Sequence, residues 1–228
     1  MDFKGFRPLH GWRVFAGEVG VIVLGVLLAL GAQQLAERIQ MNRDAQALRQ
    51  TIDHEIGLNL FAYDVRTRHF KCTAKHIAEL TAWLDRARAG ADVPAINTKP
   101  PGVITPYRSA WDTRDSSVFN HLPAKVRQRY AEFYDELSGN WVIMQQEQDT
   151  WIRLLPYAEP GAISLADRRT IRSILRIADR YNRVLQSNYP VSRKLAQDLG
   201  IKSVRPDDVP PNLLAHADDC PSFVGPPA

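Results

Sequence analysis

The chain has 228 residues, of which 45% are apolar and 24% charged, with a formal net charge of +4. This is ordinary for a folded protein and excludes a low-complexity or strongly charged disordered chain. So mild a positive charge, with no reading element behind a basic patch, argues against nucleic-acid binding.

Residues 14–32, VFAGEVGVIVLGVLLALGA, form a nearly unbroken apolar run interrupted by one charge, Glu18. As a helix the run reaches roughly 28 Å, close to the hydrocarbon thickness of a bilayer. Two readings of it compete. One is an uncleaved anchor; the other is the core of a secretory signal cut after Ala29-Leu30-Gly31, a small-x-small site. The apolar positions before Glu18 and the helical continuation through Gln33-Gln34-Leu35-Ala36-Glu37 favour the anchor. Either reading exports the remainder, about 195 residues, enough for one domain with a real core.

Lys4, Arg7 and Arg13 before the run are matched by Arg38, Arg43 and Arg49 after it, so the positive-inside comparison is a tie. Long domains translocate largely regardless of charge, which leaves the short leader, residues 1–13, in the cytoplasm. Trp12 and Phe15 then sit at the inner interface. Glu18 is expensive inside a span and is a functional candidate for that reason. Snorkelling to the nearby interface is the competing explanation. Gly17, Gly20, Gly25 and Ala29 would let a second helix approach closely.

Beyond the run, Met41, Ala45, Leu48, Ile52, Ile56, Tyr63, Phe70, Ile77 and Leu84 mark one helical face. This predicts a helix from the membrane to about residue 88, broken once at most. Glu55, Asn59 and Arg66 enter that seam and predict a polar layer. Residues 90–107 read as a loop rich in Pro and Gly. Ser109 with Asp112 has capping-box spacing and predicts a short helix ending near Asn120; Pro123 suits a first helical position.

The next stripe is Val126, Tyr130, Phe133, Tyr134, Leu137, Trp141, Met144, Trp151 and Leu155, with Gln148 as its polar interloper; Pro156 and Pro160 end it. Ser164 and Asp167 cap the last long helix, whose apolar face is Ile171, Ile174, Leu175, Ala178, Tyr181, Leu185, Tyr189 and Leu195. Pro190 is expected to kink it. From residue 200 the chain is punctuated by Pro206, Pro210, Pro211, Pro221, Pro226 and Pro227 and reads as extended. The expected architecture is all-α: a transmembrane helix (14–32) continuing into an antiparallel bundle of three long helices plus a short one (33–199), then a proline-rich tail (200–228).

The opening FRPLHGWRVFAGEVGVIVLGVLLALGAQQLAER resembles that of a bacterial family of single-pass proteins of unknown function. There an acidic residue enters an anchor with a V/I-x-L-G-V-x-L-A-L core. The segment AWDTRDSSVFNHLPAKVRQRYAEFYDEL is similar to the middle of such proteins, where a Trp-acidic pair precedes a Leu-Pro helix start. The resemblance implies an inner-membrane anchor with an exported helical domain and brings no activity.

His69, Cys72 and His76 fall within one sector of the first helix and have ligand types suited to zinc or copper. They also flank the apolar stripe, where a buried Cys and half-buried His are common. With only two cysteines in an exported domain, three outcomes stand open: a Cys72–Cys220 disulfide, which oxidising conditions favour, unpaired thiols, or a metal site. Arg168, Arg169, Arg172, Arg176, Arg180 and Arg183 line the last helix opposite its apolar face. They form either a solvated face or a docking surface for an anionic partner.

No H-E-x-x-H, P-loop, Gly-x-Ser-x-Gly or dinucleotide motif occurs, and Asp112 and Asp115 have no evident acid/base partner. The sequence therefore points to a non-enzymatic, cofactor-free interaction or assembly module of the bacterial envelope. Its partners would be the lipid bilayer and a membrane or envelope protein. The alternative is a periplasmic ligand- or metal-sensing domain that relays through a partner, because the leader is too short for an output domain.

Overall fold

The computed structural model describes residues 11–87, 92–210 and 220–224. The leader cations Lys4 and Arg7 and the tail prolines Pro211, Pro226 and Pro227 lie outside them. The first element, α1 (Trp12–Arg86), is one unbroken helix of 75 residues, about 110 Å long. No proline enters it, and the break allowed for by the sequence does not occur. Its apolar opening is long and apolar enough to cross a membrane and packs against nothing in the described chain. Burial begins at Ala45, about 20 Å beyond residue 32.

A long connection follows. It contains β1 (Asp92–Val93), α2 (Ser109–Asp112) and α3 (Ser116–Phe119) and leads into α4 (Ala124–Ile152). A single 3₁₀ turn, Leu155–Tyr157, then precedes β2 (Gly161–Ala162) and α5 (Leu165–Asp198). β1 and β2 pair antiparallel, Asp92 opposite Ala162, a small ribbon on a helical fold. The sequence showed no strand period there because two-residue strands have none.

The bundle is antiparallel where α5 packs, closely, against both α1 and α4. α1 and α4 run in the same direction: Asp53 meets Tyr130, Glu55 meets Tyr134 and Arg66 meets Glu147. The connection between them returns the chain to the end of the domain nearest the apolar opening of α1, so α4 starts where the domain part of α1 starts. Large side chains bridge these two helices. One apolar cluster at the end nearest the apolar opening contains Ile52, Ile56, Tyr130, Phe133 and Leu185; a second at the far end contains Leu80, Trp83, Trp151, Ile171 and Ile174.

The polar layer foreseen on α1 is buried, and each member has a task. Asn59 accepts the Tyr107 N–H and donates to the Tyr107 carbonyl (2.9 and 2.8 Å), pinning the connection. The Glu55 carboxylate accepts the backbone N–H groups of Ala110 (2.6 Å) and Trp111 (3.2 Å) and the Tyr134 hydroxyl. That corrects the capping-box reading of Ser109. Ser109 is itself helical, and a carboxylate from another helix satisfies the exposed donors of α2. Asp112 instead pairs with Arg108 (3.1 Å), while Asp115 caps α3. The short helix expected to run to Asn120 is thus two pieces.

On α4 the buried polar side chain at this point of the stripe is Glu147 rather than the half-buried Gln148, and beyond the helix Leu154 rather than the exposed Leu155 continues the core. α5 opens with the expected capping box at Ser164 and Asp167. Pro190, on its exposed face, does not end the helix. Asn182 is buried where Tyr181 was expected.

At its end, Gly200 (φ +77°) turns the chain, and the Ile201 and Gly200 N–H groups bond Ala196 O (3.0 Å) and Gln197 O (2.9 Å), a Schellman stop. The chain then crosses α1 at Gly57, whose carbonyl accepts the Val204 N–H at 2.9 Å. A Cβ at Gly57 would stand 2.7 Å from Val204 Cγ2 and 2.9 Å from Lys202 O. Gly57→Ala should therefore destabilise the domain by about 1–3 kcal/mol, the usual range for overpacking. A denaturation midpoint equal to wild type would show that the crossing yields freely.

Candidate functional site

Three features of the described chain are candidates for function: the apolar opening of α1, the arginine row of α5, and a clasp that holds residues 220–224 against α1. The clasp is the most elaborate. Cys72 and Cys220 are joined in a disulfide, with Cα atoms 5.2 Å apart. Around that bond, Lys75 Nζ donates to the Cys220 carbonyl (2.9 Å), and His76 Nε2 lies 2.8 Å from the Pro221 carbonyl. Glu79 accepts both the Phe223 N–H (2.9 Å) and the Ser222 hydroxyl (3.1 Å). The His76 ring stacks on Phe223 with centroids 3.5 Å apart, and Phe223 in turn meets the edge of Trp151. An antiparallel bridge between Ile96 and Val224 ties the same strap to the connection.

The clasp accounts for Cys72 and His76, whereas His69 bonds within α1. Cys72 sulfur is committed to the disulfide. The His69 Nδ1 contact to Val65 O (2.9 Å) and the His76 Nε2 contact to Pro221 O each place a proton on the bonded nitrogen, since a carbonyl only accepts. Among the described residues no group of three or more His, Cys, Asp or Glu is placed to hold a metal ion. Sequence reasoning missed Lys75 and Glu79, although Glu79 continues the 69-72-76 face by one step.

Two groups make the clasp sensitive to acid. Burial holds His76 below its ordinary imidazole value, against the opposing pull of the Pro221 carbonyl and Glu79. Burial tends to raise Glu79, but the donors from Phe223 and Ser222, with Lys75, bring it below the usual carboxylate range. Both folded values are depressed. Each group therefore contributes stability above its ordinary value, lost as pH falls through its folded one. Acidification from neutrality should loosen the clasp first through His76 and then through Glu79. Amide exchange at Phe223 should accelerate beyond the intrinsic pH effect, with the disulfide intact; protection unchanged down to pH 4 would contradict this.

The arginine row is partly engaged. Arg172 pairs with Asp85 (2.7 Å) and Arg183 with Asp179 (2.9 Å), and Arg168 reaches the Leu84 carbonyl (3.3 Å). Arg169, Arg176 and Arg180 are exposed. Two of the six thus bind the far end of α1, which a sequence cannot reveal, Arg183 is paired within α5, and Arg169, Arg176 and Arg180 present positive charge to solvent. On the span, Glu18 is exposed beside Val14, Gly17, Val21 and Ile22. A Cβ at Gly17, Gly20 or Gly25 would meet nothing within 4 Å.

Comparison of the chain with family models, curated proteins and solved structures finds no match, and no family is identified. What stands is the architecture: a long apolar N-terminal helix that continues into a disulfide-bonded helical domain.

Proposed function

We propose that this protein is a non-enzymatic, single-pass interaction or assembly module of the bacterial envelope. Residues 14–32 anchor it in the inner membrane, with the N-terminus cytoplasmic and the helical domain periplasmic. The observation that carries the reading is the continuity of α1. One helix supplies both the apolar span and the central face of the domain, so a contact made in the membrane is rigidly linked to the domain above it. The Cys72–Cys220 bond supports an oxidising compartment. The likeness of the anchor to that of bacterial single-pass proteins supports the inner membrane. The exposed arginines suit an anionic partner surface.

The test uses the span. Because a Cβ at Gly20 or Gly25 would meet nothing within 4 Å among the described residues, a loss on substitution there reports on a partner helix. Gly20→Leu or Gly25→Leu should strongly reduce the protein recovered with the full chain in mild detergent. Glu18→Leu should weaken recovery by roughly three- to thirty-fold, the effect of one membrane hydrogen bond at about 0.6–2 kcal/mol. Identical recovery with all three variants would make the span a tether and move recognition to the exported helices.

A further inference from the structure

Residues 168–183 of α5 hold six Arg against one acid, Asp179. Arg169, Arg172, Arg176, Arg180 and Arg183 fall within a sector of about 80° on the helix, a stripe about 20 Å long. All five are exposed. Among the described residues no large apolar side chain is exposed on α5 between Arg168 and Arg183. The stripe therefore lacks the apolar and aromatic anchors found at the centre of protein interfaces. Its height along the molecule is set by α1. Arg172 pairs with Asp85, and the Asn182 amide donates to the Phe70 carbonyl (3.4 Å), so the stripe runs beside residues 70–85 of α1. Along one unbroken helix that is about 55–80 Å beyond residue 32, several screening lengths from the head groups of a bilayer holding residues 14–32.

A groove of about 400 Å³ opens between α1 and α5 alongside the stripe, within the size range of small-molecule sites. It offers donors and acceptors together: the guanidinium groups of Arg172 and Arg176, and the carboxylates of Asp85 and Asp179. The two acid side chains are 58% and 35% exposed, so both meet solvent. Their pairs with Arg172 and Arg183 are of the exposed kind, which adds little and exchanges readily. Two carboxylates repel a bare phosphate chain but accept hydroxyl groups, while a guanidinium takes a carboxylate through two parallel bonds.

We propose that the stripe and its groove bind an acidic polysaccharide. Hydroxyl groups of one sugar donate to Asp85 and Asp179 in the groove, and carboxylates along the chain accept from Arg169, Arg176 and Arg180. This inference rests on the envelope reading, under which the stripe lies outside the cytoplasm. Its test reads the stripe, whereas the Gly20 and Gly25 variants read the span, so either can fail alone.

Calorimetric titration of the full chain in neutral nanodiscs with hexagalacturonate is that test. Saturable binding is expected with a Kd on the order of 0.1–1 mM at low salt, weakening as salt screens the pairs. Maltohexaose, of the same length without carboxylates, should show no saturation. Linear hexaphosphate and hexaglutamate, which carry charge without sugar hydroxyls, should bind more weakly than hexagalacturonate. Arg176→Glu, at an exposed position where folding is not at stake, should weaken hexagalacturonate by about tenfold or more, the effect of losing one charge-assisted pair and gaining a repulsion. Lys125→Glu, exposed at the start of α4, makes the same change in net charge far from the stripe and should leave the affinity as it was. An equal loss in both variants would mean that net charge alone attracts the polymer. Tighter binding of hexaphosphate would assign the stripe to a phosphate polymer, and tighter binding of hexaglutamate to an acidic protein. Any of these, an unchanged affinity in Arg176→Glu, or no saturation up to about 10 mM would overturn the proposal.

Discussion

Replacing Cys72 and Cys220 by serine should lower the stability of the domain by up to about 5 kcal/mol, roughly 10–20 °C in melting temperature. The bond closes a loop of 148 residues, and tying its ends removes a large share of the conformational freedom of the unfolded chain. The loop contains most of the domain, α4 and α5 included, so the effect is global rather than confined to the strap. It should be smaller than the upper figure if the unfolded chain stays compact. Each single variant should lose as much as the double one, because either removes the same cross-link. Denaturation of the full chain in detergent, oxidised and reduced, measures this directly. Coincident midpoints would mean that Lys75, His76, Glu79 and the Phe223 stack suffice to hold the strap.

The clasp also shows what the sequence could and could not tell. Cys72 and Cys220 were legible as a candidate pair because a chain read as exported, with two cysteines, favours joining them. The three long helices were legible from periodicity, and Ser164 with Asp167 from a local capping pattern. Glu55, Asn59 and Arg66 announced a polar layer because they interrupt an otherwise apolar face. Their partners were not readable. Tyr107, Ala110 and Trp111 lie on a connection whose return path is set by tertiary packing, and nothing local predicts that α1 and α4 run parallel. Ser109 misled for a related reason: its spacing to Asp112 suits a cap, but Glu55 already satisfies the neighbouring donors. Glu147 was hidden beside Gln148 because a one-residue shift along a helix moves a side chain by about 100°. The rest of the clasp, with Lys75, Glu79 and Phe223 drawn together from the two ends of the domain, was not read from the sequence.

Glu147 now gives the second large expectation. With Arg66 it forms an ion pair between α4 and α1 whose side chains are 3% and 2% exposed, and the guanidinium also lies 5.4 Å from the Phe70 ring. Both ions gave up water to reach this position, and Arg66 Nε, Arg66 Nη1 and Glu147 Oε1 have no protein partner. Such a pair adds little compared with apolar residues of the same volume, yet removing one member leaves a buried charge and costs about 3–5 kcal/mol. The two single replacements should differ. A guanidinium does not give up its proton inside proteins, so Glu147→Leu should be destabilised by nearly the full amount at every pH.

Arg66→Met leaves a carboxyl that can neutralise itself. Burial already holds Glu147 above the usual carboxylate range, while the Arg66 charge and hydrogen bond oppose the rise. Without Arg66 the folded value climbs further. A carboxyl raised in the folded state favours folding at low pH and loses that contribution as pH rises from its ordinary value to its folded one. Arg66→Met should therefore be only mildly destabilised at pH 5 and distinctly more so at pH 8. The double variant, Arg66→Met with Glu147→Leu, should recover most of the loss at both. Denaturation midpoints of the four proteins at the two pH values decide it. An equal, pH-independent loss in both single variants would mean that water reaches the pair and that the layer joining α1 to α4 is not sealed.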